Sequence, residues 1–298
     1  MGKQINCDTT LNIIMDIANI MLKINDVKVI IENDYLMKVL NVKKINSHIF
    51  HITTSNDEYI LKVHNHLCKQ FFKELSTIYQ MTSANNFSPQ MIPSKQDLFI
   101  NNRNDTFFSV HKFLKNEQKL FNLKSLSKRL SKLHRKLFEL KITGLDNHFD
   151  RLFDVREKAM EYGYISYLPM LDDLISFLKQ TKKQIIHSDL HKNNLIIYNN
   201  NIYFLDFDSS TYSHTIFDVV FSAFRCVSFE HKKILEFVAL YNKFNPPIEI
   251  DKRYIVQALT YIILQRILFI LIQKKKGNHK YMYDLVNQKK YLSYINKM

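Results

Sequence analysis

The feature that most constrains this chain of 298 residues is a polar segment enclosed by short apolar runs. The segment reads HSDLHKNN, residues 187–194, and it lies between the apolar runs 185–186 and 195–197. A second apolar run, 202–205, leads directly into Asp206. Short apolar runs bounded by turn residues are typical of buried strands. We therefore expect carboxylate and amide side chains to gather where these strands end.

Composition limits the size and the class of the fold. With 46% apolar residues, the chain can bury a sizeable core in one large domain or in two lobes. Cys7, Cys68 and Cys226 lie far apart without a CxxC pair, which predicts a reducing, cytoplasmic compartment rather than disulfides or a zinc site. The longest apolar stretch, 258–272, has polar interruptions and is short for a bilayer span of about 20 residues. We expect a buried core helix there and no transmembrane segment.

The formal net charge of +14 raises the question of an anionic partner. Most of the cations are lysines, and they are scattered along the chain apart from the run 274–276. Proteins that read bases favour clustered arginine for bidentate contacts. Nucleic acid is therefore not favoured as the main partner, and the sequence leaves the oligomeric state open.

Hydrophobic periodicity divides the chain into a strand-rich part and a helical part. Strands are predicted at 36–42, 49–54, 59–63, 98–100 and 106–113, and helices at 9–22 and 71–81. After residue 114 helical spacing dominates, with helices predicted at 123–137, 151–162, 167–180, 216–227, 230–243 and 252–273. This pattern predicts an α+β fold with a small antiparallel β lobe, residues 1–112, and a larger, mostly helical lobe, residues 113–298.

The polar segment has the residue types and the spacing that phosphoryl transfer requires. Asp189 and Asn194 are five residues apart in one loop, and Asp206 follows the next apolar run. Such a reaction needs a carboxylate for the acceptor proton, oxygen ligands for magnesium and a rigid frame. The order His-x-Asp, then Asn, then Asp after a hairpin matches the kinase catalytic pattern. The alternative is a polar hairpin built on Asx turns.

Three stretches together resemble the aminoglycoside phosphotransferase and choline kinase-like family. They are HSDLHKNNLII followed by IYFLDFD, the triplet Phe217-Asp218-Val219, and the helix LSKRLSKLHRKL at 126–137 with its Leu133-His134 pair. The resemblance implies a protein-kinase-like bilobal fold. It also implies that ATP and Mg²⁺ are the cofactors and that the acceptor is a small molecule with a hydroxyl group.

Carried over residue by residue, the resemblance assigns a role to each polar side chain. Asp189 would be the catalytic base, and Asn194 and Asp206 would hold the metal. His187 would organise the loop, and Asp218 would brace the loop from below. For Asp218 the alternative is a helix N-cap, a role compatible with the first.

A kinase also needs a strand lysine for the nucleotide phosphates and a helix glutamate that pairs with it. Lys62 lies in the strand-like stretch YILKV, which resembles the kinase V-A-I-K. Glu74 is the only acidic residue between Lys62 and Asp97, so elimination gives it as the partner. The alternative for Lys62 is a solvated strand face.

The expected phosphate-covering loop, 43–48, contains no glycine. Asn46 tolerates a positive φ and could turn this loop, and Ser47 could meet phosphate. The adenine base would bond to backbone groups around Val110 to Phe113.

We therefore predict an ATP- and Mg²⁺-dependent phosphotransferase acting on a hydroxyl of an amino alcohol, a sugar, a hydroxy amino acid or an antibiotic. The basic C-terminal third argues mildly against a polycationic acceptor, and His214, Arg225 and Arg266 are candidates for the acceptor site. The alternatives are a catalytically impaired kinase-like binding or scaffold protein, and a basic nucleic-acid binder.

Overall fold

The structure is a computed structural model that describes residues 22–64, 71–103, 106–117, 122–145, 148–227 and 230–295. The helix predicted over 9–22 lies outside these ranges except for its last residue. The chain divides between Asn116 and Glu117 into two compact units, which we call the N-terminal and the C-terminal unit. The functional boundary after residue 112 stays a prediction.

The N-terminal unit is built on an antiparallel sheet of six strands in the order β1-β2-β3-β6-β4, with β5 also paired to β6. The strands are β1 (Val39–Lys44), β2 (Ile49–Thr54), β3 (Glu58–His64), β4 (Met91–Ile92), β5 (Asn101–Arg103) and β6 (Thr106–Lys112). The antiparallel pairing of β2 with β3 joins the two strands predicted at 49–54 and 59–63 in a hairpin.

One predicted strand is displaced along the sequence. The apolar residues 98–100 predict a strand, but β5 begins at Asn101 and consists of polar residues that read as a turn. Asn101 pairs with Phe108 of β6. A short edge strand is held mainly by its backbone hydrogen bonds, so its side chains need not carry the alternation of a buried strand.

Two helices accompany this sheet, α1 (Ile24–Asp34) and α2 (Phe72–Ala84). Alternation along β2 buries Phe50 and Ile52, and these side chains join Val27, Ile30 and Ile31 of α1 in one core. Burial of each such aliphatic side chain contributes about 2 kcal/mol to folding. The sheet and α1 therefore form a stable platform for the residues that β3 and β6 carry.

The C-terminal unit contains seven described helices and two small β ladders. The helices are α3 (Leu123–Glu139), α4 (His148–Glu161), α5 (Leu168–Gln180), α6 (Ile216–Ser222), α7 (His231–Lys243), α8 (Ile255–Lys275) and α9 (Met282–Ile295). The ladders pair β7 (Gln184–Ile186) with β10 (Thr211–Ser213), and β8 (Leu195–Tyr198) with β9 (Asn201–Phe204).

Helix α3 shows why the leucine stripe predicts a core helix. Leu126, Leu130, Leu133 and Leu137 recur at steps of three and four, and all four are buried. Asn122 caps the helix, because its side chain accepts hydrogen bonds from the backbone N–H groups of the first turn. The same face carries a buried histidine, His134, which α3 directs into the interior.

Helix α8 is the apolar helix predicted for the core. By length and composition alone it could cross a membrane, but 61% of its apolar window is buried inside the protein, as in a core helix. Helix α9 packs against α8 and was not predicted from the sequence. Its buried side chains are few, Leu285, Gln288, Leu292 and Ile295, and two of its turns expose lysines and tyrosines instead.

The turn between β10 and α6 contains a buried histidine, His214. Its Nδ1 accepts a hydrogen bond of 3.1 Å from the Ile216 N–H, and its ring lies edge-on to Phe177 with centroids 5.1 Å apart. Burial, and secondarily the charge of His134, lower the pKa of His214 to about 4. His214 is therefore a neutral structural residue at physiological pH.

We expect the substitution His214→Asn to reduce the loss of stability on acidification. In the unfolded chain His214 binds a proton below its ordinary pKa of 6.5, whereas in the folded protein it does so only below about pH 4. The free energy of unfolding therefore falls as the pH is lowered from 6.5 to 4. The loss between pH 7 and pH 5 is about 2 kcal/mol. Asn keeps an acceptor for the Ile216 N–H and does not titrate. Urea unfolding of both proteins at these pH values measures the effect, and equal losses would contradict it.

Candidate active site

The hairpin β8–β9 brings the two ends of the polar segment together. Leu195 pairs with Phe204, and the next N–H along the chain, that of Leu205, donates a 2.9 Å hydrogen bond to the Asn194 carbonyl. Asn199 and Asn200 turn the hairpin with positive φ. Because Asp206 follows Leu205 directly, the hairpin places it next to Asn194.

Asn194 also ties Asp189 to the hairpin. Its Nδ2 donates to the Asp189 carbonyl at 2.8 Å and to Asp189 Oδ2 at 3.2 Å. Since the amide nitrogen is used on Asp189, the amide oxygen of the buried Asn194 is the atom left to bind a metal. Asp206 has φ 62° and ψ 61°, a left-handed backbone that Asp tolerates better than most residues and that redirects the chain after β9.

His187 holds the loop through both ring nitrogens. Its Nε2 lies 2.7 Å from the Leu205 carbonyl and donates to it, which leaves Nδ1 to accept from the Asp189 N–H at 3.3 Å. The ring is fully buried and packs against Phe207 with centroids 4.6 Å apart. These contacts fix the tautomer and join the segment that carries Asp189 to the segment that carries Asp206.

A fully buried carboxylate, Asp218, lies below this loop in the first turn of α6. It accepts hydrogen bonds of 2.7 Å from the backbone N–H groups of His187 and Ser188, and its Oδ2 lies 3.1 Å from His134 Nε2. Ser188 has φ 70°, so the backbone bends sharply toward the carboxylate. The N-cap residue of α6 is Thr215, so the alternative interpretation of Asp218 as a helix N-cap is wrong.

The electrostatics of Asp218 keep it ionised. Burial alone would raise its pKa, but the hydrogen bond and charge of His134, the charge of His187 and the His187 backbone N–H together hold the pKa below its usual range. His134 Nδ1 in turn lies 2.7 Å from the Tyr241 hydroxyl of α7. The Leu-His pair of the sequence thus corresponds to a histidine that links α3, α6 and α7 through Asp218.

In the N-terminal unit, Lys62 has a partner that sequence reasoning missed. Its Nζ lies 3.1 Å from the Tyr79 hydroxyl on α2 and 5.7 Å from the centroid of that ring. Among the described residues no ion pair joins Lys62 to Glu74, and Glu74 Oε2 is buried without a hydrogen-bond partner. The search for an acidic residue after Lys62 identified helix α2, which also carries Tyr79. Which residue of this helix contacts the Lys62 amine depends on the reach of the side chains.

The glycine-free loop turns by a different device from the one expected. Asn46 is not among the described residues with positive φ, so the expectation of a left-handed Asn46 is wrong. Its Oδ1 instead accepts a 2.8 Å hydrogen bond from the His48 N–H, an Asx turn. Ser47 is exposed at the tip between them.

The backbone groups predicted to bind adenine, around Val110 to Phe113, are partly used in hydrogen bonds of the sheet. Val110 is fully buried and pairs with Leu61 and Ile92. The Phe113 N–H donates to the Glu58 carbonyl at 2.9 Å. At Phe113 the carbonyl is therefore the backbone group left for a base edge.

Arg266, one of the acceptor-site candidates, forms an ion pair with a half-buried carboxylate. Its Nε donates to Asp284 Oδ2 at 2.8 Å, and Asp284 Oδ1 accepts from Gln288 at 3.0 Å. Phe269 and Tyr281 flank the guanidinium. The partner was not identified from the sequence because Asp284 lies on α9, the helix that the sequence did not predict.

Comparison with known proteins agrees with this geometry. The model of the phosphotransferase enzyme family APH matches residues 101–247, which include the loop 187–194 and both Asp206 and Asp218. This match bears out the predicted resemblance to the family over about half of the chain. The chain is therefore an enzyme, a small-molecule kinase or phosphotransferase. No curated protein sequence matches the chain.

Several solved structures share the fold. The AMP-bound spectinomycin phosphotransferase APH(9)-Ia has a TM-score of 0.67 and 13% identity, covering 92% of this chain and 95% of that one. The choline kinase LicA from Streptococcus pneumoniae has a TM-score of 0.66 and 13% identity, covering 92% and 99%. The amicoumacin kinase hAmiN, in complex with AMP-PNP, Ca²⁺ and Ami, has a TM-score of 0.65 and 14% identity, covering 91% and 92%. The predicted kinase-like fold is confirmed.

We expect Asp218→Asn to destabilise the protein by about 2–4 kcal/mol, because a neutral amide leaves buried donors without an acceptor. The amide nitrogen would face a backbone N–H that now donates to a carboxylate oxygen. Urea unfolding monitored by circular dichroism measures the change.

The matched control is Asp172→Asn on α5. Its carboxylate forms a half-exposed ion pair with Arg156, so its loss should cost less than about 1 kcal/mol. Equal effects of the two substitutions would contradict the role of Asp218.

Proposed function

We propose that this chain transfers the γ-phosphoryl group of ATP, bound with magnesium, to a hydroxyl group of a small molecule. One observation carries the proposal. Asn194 holds Asp189 by its side chain and Leu205 by its carbonyl, which ties a base, an amide oxygen and the Asp206 carboxylate to one hydrogen-bonded frame. The family match supports phosphotransfer, and this frame supports the assignment of the residues that perform it.

Asp189 is proposed as the group that takes the acceptor proton. Its side chain is 39% exposed and its backbone is fixed by His187 and Asn194, so the carboxylate is both reachable and positioned. His191 Nε2 lies 3.6 Å from Asp189 Oδ2. A carboxylate held at this point of a kinase loop accepts or orients the hydroxyl proton.

The donor set fits magnesium. Asn194 offers an amide oxygen and Asp206 a carboxylate, both hard oxygen ligands. In the described part of the chain no three His, Cys, Asp or Glu residues cluster as an all-protein metal cage. Magnesium commonly binds through one or two protein oxygens, with phosphate and water completing its shell. When bound, Mg-ATP supplies the phosphoryl group and offsets its negative charge.

Nucleotide use is also supported by the similar structures and by the N-terminal unit. The spectinomycin phosphotransferase is bound to AMP, and the amicoumacin kinase to AMP-PNP and Ca²⁺. We propose that Lys62, held by Tyr79, contacts the phosphates. The exposed Ser47 and the loop N–H groups near Asn46 assist it. Glu74 keeps a buried, unsatisfied oxygen on the same helix as Tyr79, and we propose that it orients Lys62 when nucleotide binds.

A cytoplasmic location is proposed with this function, because ATP must be supplied to the site. Cys226 is buried as a free thiol, and burial raises its pKa to about 12, as expected for an inert thiol rather than a disulfide partner. The glycine-free loop favours a second candidate function, a kinase-shaped protein that binds nucleotide without turnover.

We expect Asp189→Asn to lower acceptor-stimulated ADP release about 10²- to 10⁴-fold, because the general base is lost. The assay is ADP release with Mg-ATP and a panel of hydroxyl-bearing metabolites and antibiotics. Asp251→Asn, at the surface beside Arg253, is the matched control and should keep wild-type turnover. Calorimetry should show that Asp189→Asn still binds Mg-ATP. Nucleotide binding by the wild type with no turnover of any acceptor would favour the binding protein instead.

We expect Asp206→Asn to raise the magnesium concentration for half-maximal ATP binding at least ~10-fold, because a charged ligand becomes neutral. Asn is the informative replacement since it tolerates the left-handed backbone at this position, whereas Ala would strain it. Titration of nucleotide binding against Mg²⁺ measures the shift. An unchanged magnesium requirement would rule out Asp206 as a ligand.

A further inference from the structure

Helix α6 does not end as an ordinary helix. It continues into a π-helical turn, Ala223–Val227, a rare element that often occurs at functional sites. This turn packs on the catalytic loop, because Cys226 Sγ lies 3.8 Å from the carbonyl of Leu190, the residue after Asp189. The residue before Cys226 is Arg225, so the turn that contacts the catalytic loop also carries an arginine.

Arg225 is a half-buried cation that lies among aromatic rings. Its guanidinium lies 5.2 Å and 5.5 Å from the ring centroids of Phe221 and Phe224. Its Nε is buried without a hydrogen-bond partner, and no carboxylate within the described ranges forms an ion pair with it. Arg266, by contrast, has Asp284 at 2.8 Å.

Neighbouring charges act on the pKa of Arg225. Burial lowers its pKa and the charge of Arg266 lowers it further, while Asp284 and Asp189 act in the opposite direction. An arginine nevertheless stays protonated at neutral pH. The guanidinium therefore feels the proposed catalytic carboxylate, a second cation and one aspartate that is already bound to that second cation.

A half-buried cation whose Nε is buried without a hydrogen-bond partner costs stability unless a ligand pairs with it. The planar guanidinium matches a carboxylate through two parallel hydrogen bonds. The aromatic wall, in which Phe224 meets Tyr291 with centroids 5.5 Å apart, excludes water and strengthens such a pair. A cationic acceptor would be repelled by both arginines.

We propose that Arg225 binds a carboxylate group of the acceptor whose hydroxyl faces Asp189, so that the substrate is a small hydroxy acid or hydroxy amino acid. The inference rests on the proposed function and gives that function its substrate class. In the reaction Asp189 takes the hydroxyl proton. The acceptor oxygen forms its bond to the γ-phosphorus as the bond to ADP breaks, and that electron pair leaves with ADP. The carboxylate on Arg225 does not react.

The test compares acceptors in matched pairs that differ only in charge. The pairs are L-serine with L-serinamide, L-homoserine with L-homoserinamide, and D-glycerate with D-glyceramide, and choline and spectinomycin are the cationic probes. With wild type and Mg-ATP, the best carboxylate should give kcat/KM at least ~10-fold above its amide partner. Equal values for a pair, or preference for choline or spectinomycin, would overturn the proposal. If none of these acceptors is turned over, thermal shifts decide, and carboxylates that stabilise no more than their amides overturn it.

Substitutions of Arg225 test whether this side chain causes the preference for a carboxylate over its amide. Arg225→Gln should raise KM for the best carboxylate at least ~10-fold, reduce kcat less, and abolish the preference over the amide. Arg225→Lys should keep part of the preference for the carboxylate over its amide. If the Gln variant does not fold, the Lys variant is used in its place. Arg253→Gln, an exposed arginine paired with Asp251, is the matched control and should keep the full preference.

A structural role for Arg225 would give a different result. Because the Gln variant removes a half-buried charge that has no ion-pair partner among the described residues, its melting temperature without ligand should equal or exceed that of wild type. A preference that survives in Arg225→Gln, or a KM increase for ATP alone, would show that Arg225 contacts something other than the acceptor. Failure of the proposed function would appear separately, as ADP release that does not depend on Asp189.

Discussion

The candidate active site depends on one buried negative charge, that of Asp218. This carboxylate accepts two backbone hydrogen bonds from the catalytic loop and one from His134, and it is fully removed from water. Such a group is tolerable only when hydrogen-bond donors of the protein replace the water that it has lost. The loop conformation that positions Asp189 is therefore the conformation in which the charge is satisfied, so the geometry of the site and the stability of the C-terminal unit have the same origin.

Two charges in this unit, one fully buried and one half-buried, have opposite effects on stability. Asp218 accepts hydrogen bonds from two donors of the catalytic loop and one of α3, and it stabilises the fold. Arg225 is half-buried among aromatic rings, and no carboxylate within the described ranges forms an ion pair with it, so its charge costs stability when no ligand pairs with it. Binding sites commonly retain charged groups that have no partner within the protein, because such a group is then available to bind the ligand.

Much of the fold could be predicted because periodicity reports burial directly. The α3 helix follows from leucines spaced three and four residues apart, and the β8–β9 hairpin follows from two short apolar runs on either side of an Asn-rich turn. The hairpin fixes Asn194 beside the residue before Asp206. Other features depend on information that spacing does not contain. The reach of Lys62 to Tyr79 rather than Glu74 is a three-dimensional property. Helix α9 has too few buried side chains to give a clear stripe, and the π turn at Arg225 adds a residue to a helical turn without any change in composition.

The backbone at the site also follows from the scarcity of glycine, of which the chain has 4. Eight described non-glycine residues have positive φ, and two of them, Ser188 and Asp206, lie at the ends of the stretch that His187 and Leu205 join. Each costs about 1 kcal/mol or more relative to an ordinary backbone. A glycine at position 188 would relieve that cost but would give the loop more backbone conformations to choose from. The positive φ values thus lower the free energy of unfolding, but they restrict the catalytic loop to very few backbone conformations.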